Sequence, residues 1–431
     1  MSVARLPEPP RGAPIVVVIG TLDTKGREIR YLGARILEAG MRPLVVDSGI
    51  LGEPQAIVAD VTREDVARAA GSTLDAVRAT GTRGAAAEAM AVGLRAVVAR
   101  LHREGRCHGA VSLGGAEGAV MAAHAMQALP IGVPKLIVTP VAAGRRPFGP
   151  FVGLRDIAVM HSVIDIGGLN PISRAIFDAA AGAITGMVRA RHAAPICWTG
   201  ERQVALTMLG NTTAAVMRLE ERLRADGYTP VIFHANGVGG RCMEQLVADG
   251  AFVAVIDFTT DELTDELVGG YHAAGADRLE AAGHAGLPQV VVPGCVDFFV
   301  AGPMDTLPPG WRSRPTYYHN PVLTLVRATR EEMVQVARRM AEKLNMARGP
   351  VAVAVPRRGL SIPNHPGGVF WDPEADRAFT QTLRERLKPA IVLAEVDAHI
   401  NDAMFTDVVF ELFHRVTAGV TAGGAPVAGG S

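Results

Sequence analysis

The chain of 431 residues lacks net charge, because 43 acidic side chains balance 43 Lys and Arg. No global field draws it to a polyanion, so DNA or RNA is not expected as its main partner. Lysine is scarce: only Lys25, Lys135, Lys343 and Lys388 stand against 39 arginines, a bias that genome base composition accounts for. Cysteine is scarce too, and Cys107, Cys197, Cys242 and Cys295 show no C-x-x-C spacing. That argues against a disulfide framework or zinc site and for reduced thiols in a cytoplasmic protein. No uncharged apolar run reaches the roughly 18 residues of a membrane span, and residues 1–13 carry proline and charge where a secretory segment would be apolar. Neither membrane insertion nor export is expected. Also missing are G-x-x-x-x-G-K-[ST], which excludes a P-loop NTPase, and H-E-x-x-H, a compact zinc motif.

What is present is apolar side chain, 48% of the total, enough for two or three domains. Short β-branched runs at Ile15–Ile19, Leu44–Val46, Gly109–Leu113, Leu136–Thr139 and Ile157–Met160 alternate with helical patterns. Such alternation predicts an α/β fold with a doubly wound, parallel sheet. Residues 61–103 read as two helices broken near Gly81–Gly84, and a long helix follows over about Ser173–Ala190. Pro195 then marks a boundary, after which a second parallel sheet is predicted from Val204–Met208, Val231–His234, Val253–Asp257, Val290–Pro293, Val351–Val355 and Ile391–Glu395. Gly40-Met-Arg-Pro43 and Gly227-Tyr-Thr-Pro230 precede strands in similar positions, which raises a duplicated βαβ design. The domain reading is a flexible 1–13, a phosphate-binding domain over 14–195, a second domain over 196–416 and a flexible tail over 417–431, after a last helix at about Asp402–Arg415.

In an open parallel sheet the strand carboxyl ends and helix N-termini face one crevice, where amide groups and helix dipoles favour anions. Four loops meet that description. Between the first strand and its helix stand Thr21, Asp23, Thr24 and Lys25, of which Lys25 balances a phosphate and the hydroxyls donate to it. Capping of the helix by Asp23 or Thr24 remains equally open. After the third strand come Gly114, Gly115, Glu117 and Gly118. Glycine there permits close approach, Gly118 is expected to let the helix sit near the strand, and Glu117 needs Mg²⁺, a ribose hydroxyl or an arginine beside it. The stretch from Thr139 to Gly153 carries Arg145 and Arg146, either as anion ligands or as a solvated basic loop. Asp47, ending the second strand, is placed to accept from ribose hydroxyls.

The second half ends its strands in polar segments around His234, Asp257–Glu262 and Pro293–Asp297. In Glu395-Val-Asp397-Ala-His399-Ile-Asn401-Asp402, alternation in an extended segment would put Glu395, Asp397, His399 and Asn401 on one side. A carboxylate beside an imidazole suits proton transfer, Arg357 and Arg358 suit a substrate carboxylate or phosphate, and His319, Asn320 and His365 add polar candidates. A helix cap plus surface charge is the competing account. Metal ligation through His234, His399 and nearby carboxylates has no compact spacing behind it.

With these segments in view, the chain resembles the Tm-one-like family, named for the ATP-binding N-terminal part of a plant tobamovirus-resistance protein and including many bacterial proteins. The resemblance runs from about Ile15 to Arg415. It is carried by Ile19-Gly-Thr-Leu-Asp-Thr-Lys25, Leu113-Gly-Gly115, the segment His161–Asn170, Phe233-His-Ala-Asn-Gly-Val-Gly-Gly-Arg241, the segment Asp261–Gly270, and Asp397-Ala-His-Ile-Asn-Asp402. It implies two Rossmann-like domains, ATP as cofactor on the first domain's loops, and homodimers; Mg²⁺ is expected alongside the ATP. Some relatives carry a phosphoenolpyruvate-hydrolase-like TIM-barrel domain, and a separately encoded TIM-barrel partner is a hypothesis that follows. The expected activity is enzymatic, on a sugar acid or phosphorylated keto acid. The alternative is a non-catalytic nucleotide-binding regulatory module.

Overall fold

A computed structural model describes residues 5–7, 12–143, 151–193 and 202–418. Arg145, Arg146 and the tail beyond residue 418 lie outside the described residues. The chain divides into two compact units, Met1–Cys197 and Trp198–Ser431.

The first unit is built on five strands: β1 (Ile15–Gly20), β2 (Arg42–Asp47), β3 (Gly109–Leu113), β4 (Lys135–Thr139) and β5 (Ala158–His161). They pair in the order β2-β1-β3-β4-β5, every neighbour parallel. Alternate residues of β1 enter opposite cores, as the two-residue period of a strand requires. Val17 and Ile19 join the core formed with Met90, Leu94 and Met121, whereas Val16 and Val18 join Ile29, Leu32 and Phe177. Helices therefore cover both faces. The segment expected as two helices is three, Arg63–Ala69, Leu74–Arg78 and Arg83–Arg103. The extra break falls where Gly71 takes φ +73°, ending one helix, and the Thr73 hydroxyl accepts from Ala76 N at 3.1 Å, starting the next. The long helix spans Pro171–Ala193.

The second unit repeats the plan. Strands β6 (Gln203–Met208), β7 (Thr229–His234), β8 (Ala254–Thr259), β9 (Gln289–Gly294), β13 (Val351–Pro356) and β14 (Val392–Val396) form a parallel sheet in the order β7-β6-β8-β9-β13-β14. In both units the second strand lies outside the first and the third returns to its other side. The duplicated design holds in topology, and Gly40 and Gly227 both take left-handed φ, +83° and +77°, ahead of the edge strands β2 and β7. Between β9 and β13 sits an antiparallel sheet the sequence reading did not contain. Its strands β10 (Phe298–Ala301), β11 (Thr316–Asn320) and β12 (Leu323–Arg327) run in the order β10-β12-β11. The last helix is Ala403–Thr417. Among the described residues, no helix is long and apolar enough to cross a membrane.

Candidate functional site

The strand order of the first unit reverses between β1 and β3, which opens a crevice at their carboxyl ends. Two helices start there, Leu22–Glu38 after β1 and Ala116–Met126 after β3, and neither has a side chain bonded at its N-cap, Thr21 or Gly115. A Cβ at Gly114 would stand 2.8 Å from the Gly118 carbonyl carbon and 2.9 Å from Ala119 N. The close approach expected at Gly118 is therefore made at Gly114, while Gly115 and Gly118 both face open space. The amides of Gly115, Ala116, Glu117 and Gly118 meet no protein acceptor among the described residues.

The β1 loop is more internally bonded. Thr21 Oγ1 and Thr24 Oγ1 lie 2.8 Å apart. Asp23 does not cap the helix: its Oδ2 accepts from Leu51 N (3.3 Å) and Gly52 N (3.1 Å), and its Oδ1 is buried without a partner. Asp47 is 1% exposed, and its Oδ1 accepts from Leu22 N at 3.0 Å and Gly49 N at 2.8 Å. Burial lifts its carboxyl above the usual range, with the two amides opposing and Asp23 adding. The side chain expected to reach a ribose is thus tied to the loop that shapes the crevice. Glu117 is matched by an arginine, Arg83 Nε donating to Oε2 at 2.6 Å. Thr139 is buried, its hydroxyl accepting from Val141 N at 3.4 Å.

The four lysines divide unevenly. Lys135 Nζ donates to Pro130 O, Val133 O and Asp156 Oδ1; Lys343 holds Glu280 and Ala276 O; Lys388 reaches Asn345 O. Lys25 alone of the four has no partner among the described residues. It stands in the first turns of a helix, where the dipole disfavours a cation by roughly 0.3–1 kcal/mol unless an anion is near.

In the second unit the expected catalytic residues separate. Burial still alternates beyond β14, with Ala398 and Ile400 buried, but the chain is no longer extended: it turns after Val396, where Ala398 N donates back to Val396 O at 2.8 Å. Asp397 accepts from Arg358 at 2.8 and 3.1 Å, with Arg357 3.5 Å away, and is held below the usual carboxylate range chiefly by Arg358. His399 bonds to backbone instead: Nε2 donates to Ser361 O at 2.9 Å and Nδ1 accepts from Asn401 N at 3.2 Å. Glu395 accepts from Arg384 Nε at 3.1 Å. Arg357, Glu395 and Asp397 nonetheless line one cleft of about 700 Å³; His399 does not. That cleft also holds Asp376, whose carboxyl burial pushes up to about 6 against the pull of Arg327. His365 Nδ1 is engaged by Pro366 O and Asn320 Oδ1 holds the turn amides of Val322 and Leu323.

Sequence reasoning missed a buried charge network at the carboxyl end of β8. Arg278, 1% exposed, donates to Asp257 at 2.5 and 2.7 Å, Glu262 at 2.6 Å and Glu244 at 3.2 Å. Glu262 Oε1 in turn accepts from Gly237 N and Gly240 N, occupying the start of the helix Gly239–Ala248. Beside it Asp261 Oδ2 meets His272 Nδ1 at 2.9 Å, and burial raises the Asp261 and Asp265 carboxyls well above the usual range. The Asp257–Glu262 run was visible as a polar cluster, but an arginine 21 positions from Asp257 gave no signal. Among the described residues no group of three or more His, Cys, Asp or Glu side chains is placed to hold a metal ion.

Against known proteins, residues 14–193 match the N-terminal domain, and residues 201–417 the C-terminal domain, of the Uncharacterised protein family (UPF0261). A UPF0261 protein of Clostridium tetani is 39% identical over 391 residues, 90% of this chain and 96% of its own. One from Rhizobium meliloti is 36% identical over 93% of this chain and 98% of its own. The ToMV resistance protein Tm-1(GCR237) of Solanum lycopersicum is 34% identical over 94% of this chain and 56% of its own length. With both family domains matched in order and relatives of this identity along nearly the whole chain, the protein belongs to the UPF0261 family, to which the tomato Tm-1 protein is related.

Proposed function

We propose that the first unit binds a nucleotide, with ATP the expected ligand, its phosphates lying on the amides of Gly115–Gly118 and against Lys25. The observation that carries this reading is Lys25, a lysine without a protein partner among the described residues, in the first turns of a helix beside a second helix start whose amides are unused. Thr21 and Thr24 supply hydroxyl donors, and Mg²⁺ enters with the nucleotide rather than on a prebuilt carboxylate cage. Calorimetric titration with ATP, ADP and AMP, with and without Mg²⁺, tests it. ATP should bind more tightly than AMP, and Lys25→Ala should abolish the heat; undiminished binding by that variant would reject the loop.

The second unit supports an enzymatic reading, because Arg357, Glu395 and Asp397 converge on one cleft. There Arg357 orients a sugar acid or phosphorylated keto acid and Asp397 steadies the guanidiniums. Asp376 is better matched to proton transfer near neutral pH than Asp397, since an acid–base group works best with a pKa near the working pH. His399 shapes the Gly359–Ser361 loop beside it. Turnover lost in Asp376→Asn with folding retained would support this. Turnover unchanged would remove Asp376 from the chemistry, and no turnover of such acids by wild type would leave a non-catalytic nucleotide-binding module. The homodimer and the separately encoded TIM-barrel partner belong to the same proposal, and sedimentation of the purified chain reads the first directly.

A further inference from the structure

The cleft of the second unit has a charge pattern that the enzymatic reading does not use. It lies beside the carboxyl ends of β13 and β14, at Pro356–Arg357 and Glu395–Asp397, along the helix Pro373–Arg386. Its volume of about 700 Å³ sits inside the roughly 300–1,000 Å³ range of small-molecule pockets. Three of its four carboxylates are already matched: Asp376 by Arg327 and Asn364, Glu395 by Arg384, and Asp397 by Arg358. Glu374 is the fourth. Two of its arginines, Arg330 and Arg377, have no partner among the described residues, and Arg357 has only the 3.5 Å approach to an Asp397 that Arg358 holds more closely.

Arg330 opens the helix Arg330–Asn345, and Arg377 stands in the second turn of the helix Pro373–Arg386. Arg330, at the first position, sits where the helix dipole disfavours a cation. Neither arginine gains a carboxylate among the described residues. An anion carrying two acidic groups would be met by three guanidiniums from three elements, each able to donate a pair of parallel hydrogen bonds.

We propose that this cleft is an anion site for a small ligand bearing two or more carboxylate or phosphate groups, held by Arg330, Arg357 and Arg377. It deepens the enzymatic reading by naming the charge class of the ligand, but binding alone decides it. The test titrates the full chain calorimetrically with citrate and with pyrophosphate, with acetate as the singly charged control. Wild type and Lys25→Ala should both bind the multivalent anions saturably, with acetate far weaker. The exposed-site variant Arg330→Gln/Arg377→Gln should lose about tenfold or more in affinity, the loss expected for charge-assisted hydrogen bonds of about 1.5–3 kcal/mol. Undiminished binding by that variant, or no saturable binding of either probe by wild type, would overturn the proposal. Binding lost in Lys25→Ala and kept in the arginine variant would place the anion in the first unit and overturn it equally. If the anions bind as expected while wild type turns over no sugar acid or phosphorylated keto acid, the enzymatic reading fails and the site stands.

Discussion

The first unit begins a helix at Ala116 with its leading amides open, while the second lays Glu262 across the amides of Gly237 and Gly240 and gives Asn401 Oδ1 to Ala215 N at 3.3 Å. Both units share the order in which the third strand returns past the first, so both create the same kind of crevice. One is left with unused donors and an unpartnered lysine; the other is filled by its own carboxylates and a buried arginine. A shared topology therefore supplies the place, and side chains decide whether it stays open to a ligand.

That contrast breaks first at Arg278. Arg278→Met leaves Asp257, Glu262 and Glu244 without their cation and should cost about 3–5 kcal/mol. Trp311 and Trp371 lie in the second unit, so intrinsic fluorescence follows its unfolding in the full chain. An unchanged denaturation midpoint would mean the network is not what holds that crevice shut.

Next comes pH. Asp376 has a folded value of about 6, above its ordinary one, so the folded state binds the extra proton. Its contribution to stability is complete below the unfolded carboxylate range near ~4 and is lost as the pH rises through about 6. Asp376→Asn should remove that rise on acidification, on the order of 2 kcal/mol between pH 7.5 and ~4. A tryptophan-detected pH profile identical in variant and wild type contradicts the assignment.

In the first unit the changes are smaller and opposite in sense. Lys25→Ala, which removes a cation from a helix start, should leave stability unchanged or raise it by roughly 0.3–1 kcal/mol in calorimetry, while abolishing the proposed nucleotide binding. A marked loss of stability would give Lys25 a structural role. Glu117→Gln should strengthen nucleotide binding by only about two- to threefold, because Arg83 already balances that exposed carboxylate.

The sheets were legible because β-branched runs such as Ile15–Ile19 and Val351–Val355 are short, bounded by glycine or proline and separated by helical periods. The antiparallel sheet of β10–β12 was not, since its strands of four and five residues sit among turns and resemble loop. The crevice loops of the first unit were readable from their glycines and hydroxyls, but the partner of Asp47 was not: nothing local says that a carboxylate ending a strand will hold the amides of Leu22 and Gly49. His399 misled for a related reason, since period-two spacing predicts a common face only while the chain stays extended, and here it turns after Val396. Arg278 was invisible because its carboxylates, Glu262, Asp257 and Glu244, stand 16, 21 and 34 positions away from it.

ATP should settle on the open crevice and not on the filled one. Hydrogen–deuterium exchange of the full chain, with and without saturating MgATP, reads which of the two is occupied. Protection should appear at residues 21–26 and 115–119 and be absent at residues 237–240. Protection confined to residues 237–240, or none at either helix start, would contradict it.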